Sequence, residues 1–108
     1  MKMPTEVFGD VVIVHAPEEL GDDVSTQFRD FVISLDQRKV VVDLDGTESF
    51  DSCGLGCLLD AQDDLRESDG DLKIISSNNV NRKILEITRL NQRLEVFDSV
   101  IDAVKSFV

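Results

Sequence analysis

Val40-Val41-Val42-Asp43-Leu44, followed by Ser49-Phe50-Asp51-Ser52-Cys53-Gly54-Leu55-Gly56, is the stretch on which the fold turns. Three consecutive valines read as a strand buried on both faces, since a half-buried strand would alternate apolar and polar residues. From Asp51 the period changes. Leu55, Leu58, Leu59 and Leu65 fall on one helical face, and Asp60, Asp63, Asp64 and Glu67 occupy the other. A helix is therefore expected from Asp51 to Ser68, with Asp51 or Ser52 capping its free N–H groups. Gly54 and Gly56 remove Cβ atoms from the first turn. They either expose backbone to a partner or let the helix pack closely on the sheet.

Upstream, Thr5 to Phe8 and Val11 to Val14 read as two strands joined at Gly9-Asp10, a hairpin signal. His15 to Asp23 reads as a polar, acidic loop. A helix is expected to start near Asp22 or Asp23, with Val24, Phe28, Phe31, Val32 and Leu35 as its apolar stripe. Arg38-Lys39 closes it. Downstream, Ser68-Asp69-Gly70-Asp71 is a turn and Leu72 to Ser76 a third long strand. A helix from about Asn79 to Thr88 carries Val80, Ile84 and Ile87. Leu94 to Phe97 is a short strand. Asp98-Ser99 caps a last helix bearing Val100, Ile101, Val104, Phe107 and Val108. The fold class is α/β, with one domain over 1–108. Its sheet is mixed and mostly parallel, with an antiparallel N-terminal hairpin and about four flanking helices.

Eleven basic and twenty-two acidic residues give a formal charge of −11 over 108 residues. That balance disfavours nucleic acid and anionic membrane as partners, because phosphate backbones need clustered Lys and Arg. It either keeps the domain soluble or steers it to a basic protein surface. No secretory signal or membrane-length apolar run is visible. Cys53 and Cys57 form no disulfide framework, and a cytoplasmic location is expected.

The residues for familiar chemistry are absent. With one histidine, His15, a histidine metal cluster is excluded, and His15 reads as a capping or solvated residue. There is no phosphate-binding P-loop, and Gly54-x-Gly56 lacks the third glycine of a dinucleotide fingerprint. Asp43, Asp45, Glu48 and Asp51 gather at the end of the second long strand. They read as a solvated acidic loop ahead of a Mg²⁺ site. No catalytic residue, metal or cofactor is assigned. Cys53 at a helix start would have a lowered pKa and some redox character, whereas Cys57, among core leucines, reads as a buried small hydrophobe.

These residues carry a resemblance. A strand of the form Val-x-x-Asp-Leu, then Asp-Ser-(Ser or Thr)-Gly-x-Gly-x-Leu on a helix, is the hallmark of the STAS domain of bacterial anti-sigma-factor antagonists. Here it appears as Val40 to Leu44 and Asp51-Ser52-Cys53-Gly54-Leu55-Gly56-Cys57-Leu58. Ile84 to Leu90 and Val96 to Val104 also resemble the family, so the similarity spans essentially the whole chain.

The resemblance implies a non-enzymatic protein that binds an anti-sigma factor, often a serine kinase, and so regulates transcription indirectly. In the family that kinase phosphorylates the Ser or Thr directly before the first glycine. Cys53 stands there in this chain. Either the phospho-switch is lost and the domain stays competent to bind, which is the reading adopted, or Ser52 is the acceptor instead. The expected contact surface is Asp51, Ser52, Cys53, Gly54, Leu55 and Gly56, with Glu18, Glu19, Asp22 and Asp23 of the neighbouring acidic loop. A monomer or weak homodimer is expected. Two alternatives stand beside this one. The first is a receiver-like domain taking phosphate on Asp43 or Asp51. The second is a STAS subunit of a stress-signalling or lipid-transport complex. The chain's own start and end favour a free-standing protein over a transporter tail.

Overall fold

In the computed structural model, residues 3–77, 83, 85–86 and 93–107 are described. The hairpin forms as expected, with β1 (Thr5–Phe8) antiparallel to β2 (Val11–His15). Gly9 takes a φ of +64° in the two-residue turn, a conformation that favours glycine. Helix α1 (Ser25–Ile33) then leads to β4 (Lys39–Asp43), and α2 (Ser52–Glu67) to β6 (Asp71–Ile75). The described chain ends with β7 (Val96–Phe97) and α3 (Val100–Lys105). The main sheet has the order β1-β2-β4-β6-β7, parallel everywhere except β1–β2.

β4 lies in the middle, and its valines face both ways. Val40 and Val42 join Val12, Val14, Leu72 and Ile74 beneath α1 and α2. Val41 joins Val11, Ile13 and Ile75 beneath α3. The chain is thus a three-layer α/β/α arrangement. Phe28 and Val32 of α1 and Leu55, Leu58, Ala61 and Leu65 of α2 complete the larger core.

Several expectations change. Asp22 and Asp23 do not cap α1. The cap is Val24, which has no side chain to accept a hydrogen bond. The turn is closed by backbone instead, with Val24 N and Ser25 N both donating to Gly21 O. The loop from His15 to Asp23 is not all loop. Glu19–Leu20 forms β3, paired in parallel with β5, Ser49–Phe50. Leu20 is fully buried, which a polar loop would not require. The strand expected from Leu94 is shorter, and Leu94 sits in the core just before it. On α3, Ile101 faces solvent and Ala103 is the buried residue. The expected helix over 79–88, with Val80, Ile84 and Ile87, lies mostly outside the described residues. Within it Leu85 is helical and buried.

One buried charge ties the layers together. Lys73 projects from β6 under α3. Its Nζ donates to Ser106 Oγ at 2.9 Å and Ser106 O at 3.1 Å. Glu95 Oε2 lies 3.0 Å away, and the Phe107 ring centroid 4.5 Å away. A buried ammonium is tolerated where carboxylate, hydroxyl, carbonyl and aromatic face together replace its water. At the opposite end, Arg38 closes α1 by donating to Ile33 O and Leu35 O at 3.0 and 3.4 Å.

The turn after α2 divides its labour. Asp69, at φ 63°, takes the left-handed position, which Asp tolerates better than most residues. Gly70 is needed for space, since a Cβ there would lie 2.0 Å from Arg38 O. That oxygen also accepts from Asp71 N at 3.1 Å, so it is not free to move. Gly70→Ala is therefore expected to cost about 1–3 kcal/mol. Urea unfolding followed by circular dichroism should show a lower midpoint at unchanged slope.

Candidate functional site

The site is built on the start of α2. Asp51 is the cap. Its Oδ1 accepts from Cys53 N at 2.9 Å and Gly54 N at 3.1 Å, while its carbonyl accepts from Leu55 N at 3.0 Å. Asp suits this position because its extended backbone leaves the side chain free to reach forward into the first turn. The positive end of the helix is thereby served by the chain's own carboxylate.

The acidic loop is fastened against this turn. Glu48 N and Ser49 N donate to Glu18 O at 2.8 and 3.1 Å, and Asp51 N to Leu20 O at 3.4 Å. Thr47 Oγ1 donates to Pro17 O at 2.8 Å. Gly21 then passes so close that a Cβ on it would lie 2.7 Å from Asp51 Oδ2. This approach brings Asp22 to Cys53, with Sγ donating to Oδ1 at 3.6 Å. Glu19, Asp22, Asp23, Ser49 and Asp51 line a shallow depression of about 190 Å³.

The ten expected contact residues do not all present side chains. Asp51, Ser52, Cys53, Glu18, Glu19, Asp22 and Asp23 are exposed at one end of the molecule. Gly54 and Leu55 are buried and pack the helix onto the core. Gly56 is partly exposed and would have open space around an added Cβ. It lines a groove of about 240 Å³ between α1 and α2, together with Thr26, Arg29, Cys53 and Asp60. So the two glycines differ: Gly54 is buried, whereas Gly56 leaves a notch. Arg29 reaches this groove from α1, and no spacing in the sequence marked it.

The four carboxylates after β4 are parted. Asp43 Oδ2 lies 3.2 Å from His15 Nδ1, its cross-strand neighbour, and Asp43 Oδ1 accepts from Asp45 N at 2.9 Å. Asp45 Oδ1 accepts from Ser77 N at 2.7 Å and Ser77 Oγ at 3.0 Å. His15 Nε2 meets Glu6 Oε1 at 3.0 Å. His15 is therefore a bridge between strands, not a solvated residue. Asp43 and Asp51, the candidate receiver-like acceptors, both have their carboxylates engaged. Among the described residues no group of three or more His, Cys, Asp or Glu side chains is placed to hold a metal ion.

The two thiols behave differently from a helix-start cysteine. The hydrogen bond to Asp22 pushes the Cys53 thiol above its ordinary pKa, with further contributions from desolvation and the charges of Asp22 and Asp51. A helix start by itself favours the thiolate, and here the carboxylates of Asp22 and Asp51 act in the opposite sense. Burial pushes Cys57 up to about 12, and its Sγ donates to Gly54 O at 3.0 Å. The thiolate is the reacting form, so a raised pKa means slow reaction at neutral pH. Iodoacetamide at pH 7.5 should label Cys53 more slowly than a free cysteine peptide. Asp22→Asn should speed Cys53 several-fold, and Cys57 should label only after unfolding. Mass spectrometry of the alkylated peptides checks all three.

Comparison with known proteins agrees with this architecture. The family model of the STAS domain matches residues 2–103. A Thermotoga maritima protein named as a candidate anti-sigma factor antagonist is 24% identical over 106 residues, covering 94% of each chain. The crystal structure of a Thermotoga maritima protein of the same description superimposes with a TM-score of 0.86 at 25% identity, over 96% of this chain and 92% of that one. An anti-sigma factor antagonist from Mycobacterium paratuberculosis gives 0.84 at 18% identity, over 97% and 92%, and shares the fold. No helix among the described residues is long and apolar enough to cross a membrane. The family model's match over nearly the full length, residues 2–103, makes this chain a member of the STAS domain family.

Proposed function

We propose that this chain is a non-enzymatic binding module that docks on an anti-sigma factor of the serine-kinase type, and that it does so without a phospho-switch. The observation that carries the reading is the joining of β3, β5 and the start of α2 into one fastened acidic surface, with Cys53 at its centre. Such a surface suits a partner bearing basic residues. The names of the relatives support an anti-sigma factor as the partner. The environment of Cys53 supports the second half. A thiol is not a substrate for a serine kinase. A phosphate there would also meet Asp22 and Asp51 at close range, in like-charge repulsion. The preformed Asp51 cap further removes the free N–H groups that would receive a phosphate.

Two measurements test this. Asp22→Lys with Asp23→Lys should slow association with a serine-kinase-type anti-sigma factor of the same genome by about tenfold or more, with a smaller change in dissociation, because rim charges act mainly on encounter. Surface plasmon resonance at two salt concentrations reads both rates, and unchanged association would place the contact elsewhere. The second is incubation with that kinase and ATP, followed by mass spectrometry. The wild-type chain should take up no phosphate, and Cys53→Ser should take up little, since Asp22 and Asp51 still flank the new hydroxyl. Phosphate on Ser52 of the wild type would show that the switch had moved one residue rather than disappeared.

A further inference from the structure

Gly56 stands in α2 without a reason from the fold. The helix runs from Ser52 to Glu67, and Gly56 lies past its first turn. After proline, glycine is the least favourable residue in a helix interior, because its backbone has the most freedom to lose. Where the fold needs glycine elsewhere, the cause is visible. Gly9 has a positive φ, and Gly21 and Gly70 have no room for a Cβ. A Cβ on Gly56 would meet nothing within 4 Å outside its own helix, and its φ is not left-handed. The fold would therefore accept alanine there and gain stability from it.

Arg29 faces the same groove from α1 and is equally free of the fold. Arg38, Arg66 and Arg93 pair with Asp64, Asp71 and Asp63. Among the described residues Arg29 makes no ion pair or hydrogen bond. Asp60 lines the α2 wall of the groove and is not paired with it. In a chain of net −11, a half-buried guanidinium whose donors meet no acceptor of the chain is an exception. Its planar fork suits a carboxylate.

We propose that the anti-sigma factor's footprint extends from Cys53 across Gly56 to α1, with partner chain lying close against the Gly56 backbone and a partner carboxylate on Arg29. This rests on the reading of the domain as an anti-sigma-factor binder and adds a contact to that same site. Cys53 belongs to both surfaces. Its thiol meets Asp22 on one side, and it lines the groove with Gly56 on the other. Cys53 and Gly56 are three residues apart, hence neighbours on one helical face. A partner centred on Cys53 and covering the ~800 Å² of a standard contact reaches the groove. The contact is then mixed in sign. The acidic loop meets basic residues of the partner and Arg29 an acidic one, which fixes the register in which the two proteins meet.

Surface plasmon resonance against a serine-kinase-type anti-sigma factor of the same genome, with urea unfolding of the same variants, tests this. Gly56→Ala should unfold at a higher urea concentration and yet bind several-fold more weakly. Gly56→Gln, which fills the notch, should weaken binding by about tenfold or more. Arg29→Gln should weaken it by about tenfold at a little-changed urea midpoint, and Arg29→Lys by less, since lysine keeps the charge but not the fork. A gain in stability with a loss of binding is a pairing that a purely structural role would not produce. Full binding by Gly56→Gln or Arg29→Gln overturns the inference, as does a Gly56→Ala chain that unfolds at lower urea. If Asp22→Lys with Asp23→Lys still slows association in that case, the domain remains an anti-sigma-factor binder without this contact. A wild-type chain that does not bind the anti-sigma factor overturns both.

Discussion

Val40, Val41 and Val42 alternate between two hydrophobic layers, and none of them touches water. A strand in that position has to be flanked on both sides and covered on both faces. β2 and β6 supply the flanks. α1 and α2 cover one face, and α3 covers the other. At ~25 cal/mol per Å² of apolar surface, this central burial is the main source of the fold's cohesion. The parallel pairing also requires the chain to cross back over the sheet after each strand, which sends the loops after β2 and β4 to the same end of the molecule.

The site is a consequence of that traffic. Loops arriving at one end of a parallel sheet are neighbours in space though far apart in sequence. Here two of them pair as β3 and β5, and their pairing carries the acidic residues to α2. The contact of Gly21 with Asp51 and that of Asp22 with Cys53 both depend on it. A helix start is ordinarily a place that welcomes negative charge. In this chain the place is taken by Asp51, and the surroundings are acidic. Cys53 thus sits in a setting opposed to its thiolate.

The same charge balance explains why the ends of the sheet are bridged. His15 lies between Asp43 and Glu6, Asp45 holds Ser77, and Lys73 is enclosed by Glu95 and two phenylalanine rings. A chain with twice as many acidic as basic residues concentrates several of its cations where strands and helices must be joined. What is left on the outside is largely negative.

The sequence by itself determined the layered α/β fold, because the valine runs and the leucine period report burial locally. It also determined the turn at Asp51 to Gly56 and the family, since those residues are contiguous. Asp51 as a cap and Cys57 as a core residue were legible for the same reason. The tertiary structure alone decided the rest. Nothing in Glu19-Leu20 or Ser49-Phe50 signals a strand, because a two-residue pairing has no period to read. Asp22 and Asp23 carry good capping chemistry, yet Val24 occupies the cap, because Gly21 supplies the carbonyl and Asp22 turns to Cys53. The bridging of His15 depends on a cross-strand register 28 residues away, at Asp43. The sign of the Cys53 pKa shift depends on a carboxylate 31 residues away in the chain. Burial and capping are properties of neighbouring residues, whereas the electrostatics of a site are set by whatever the fold brings within a few ångströms.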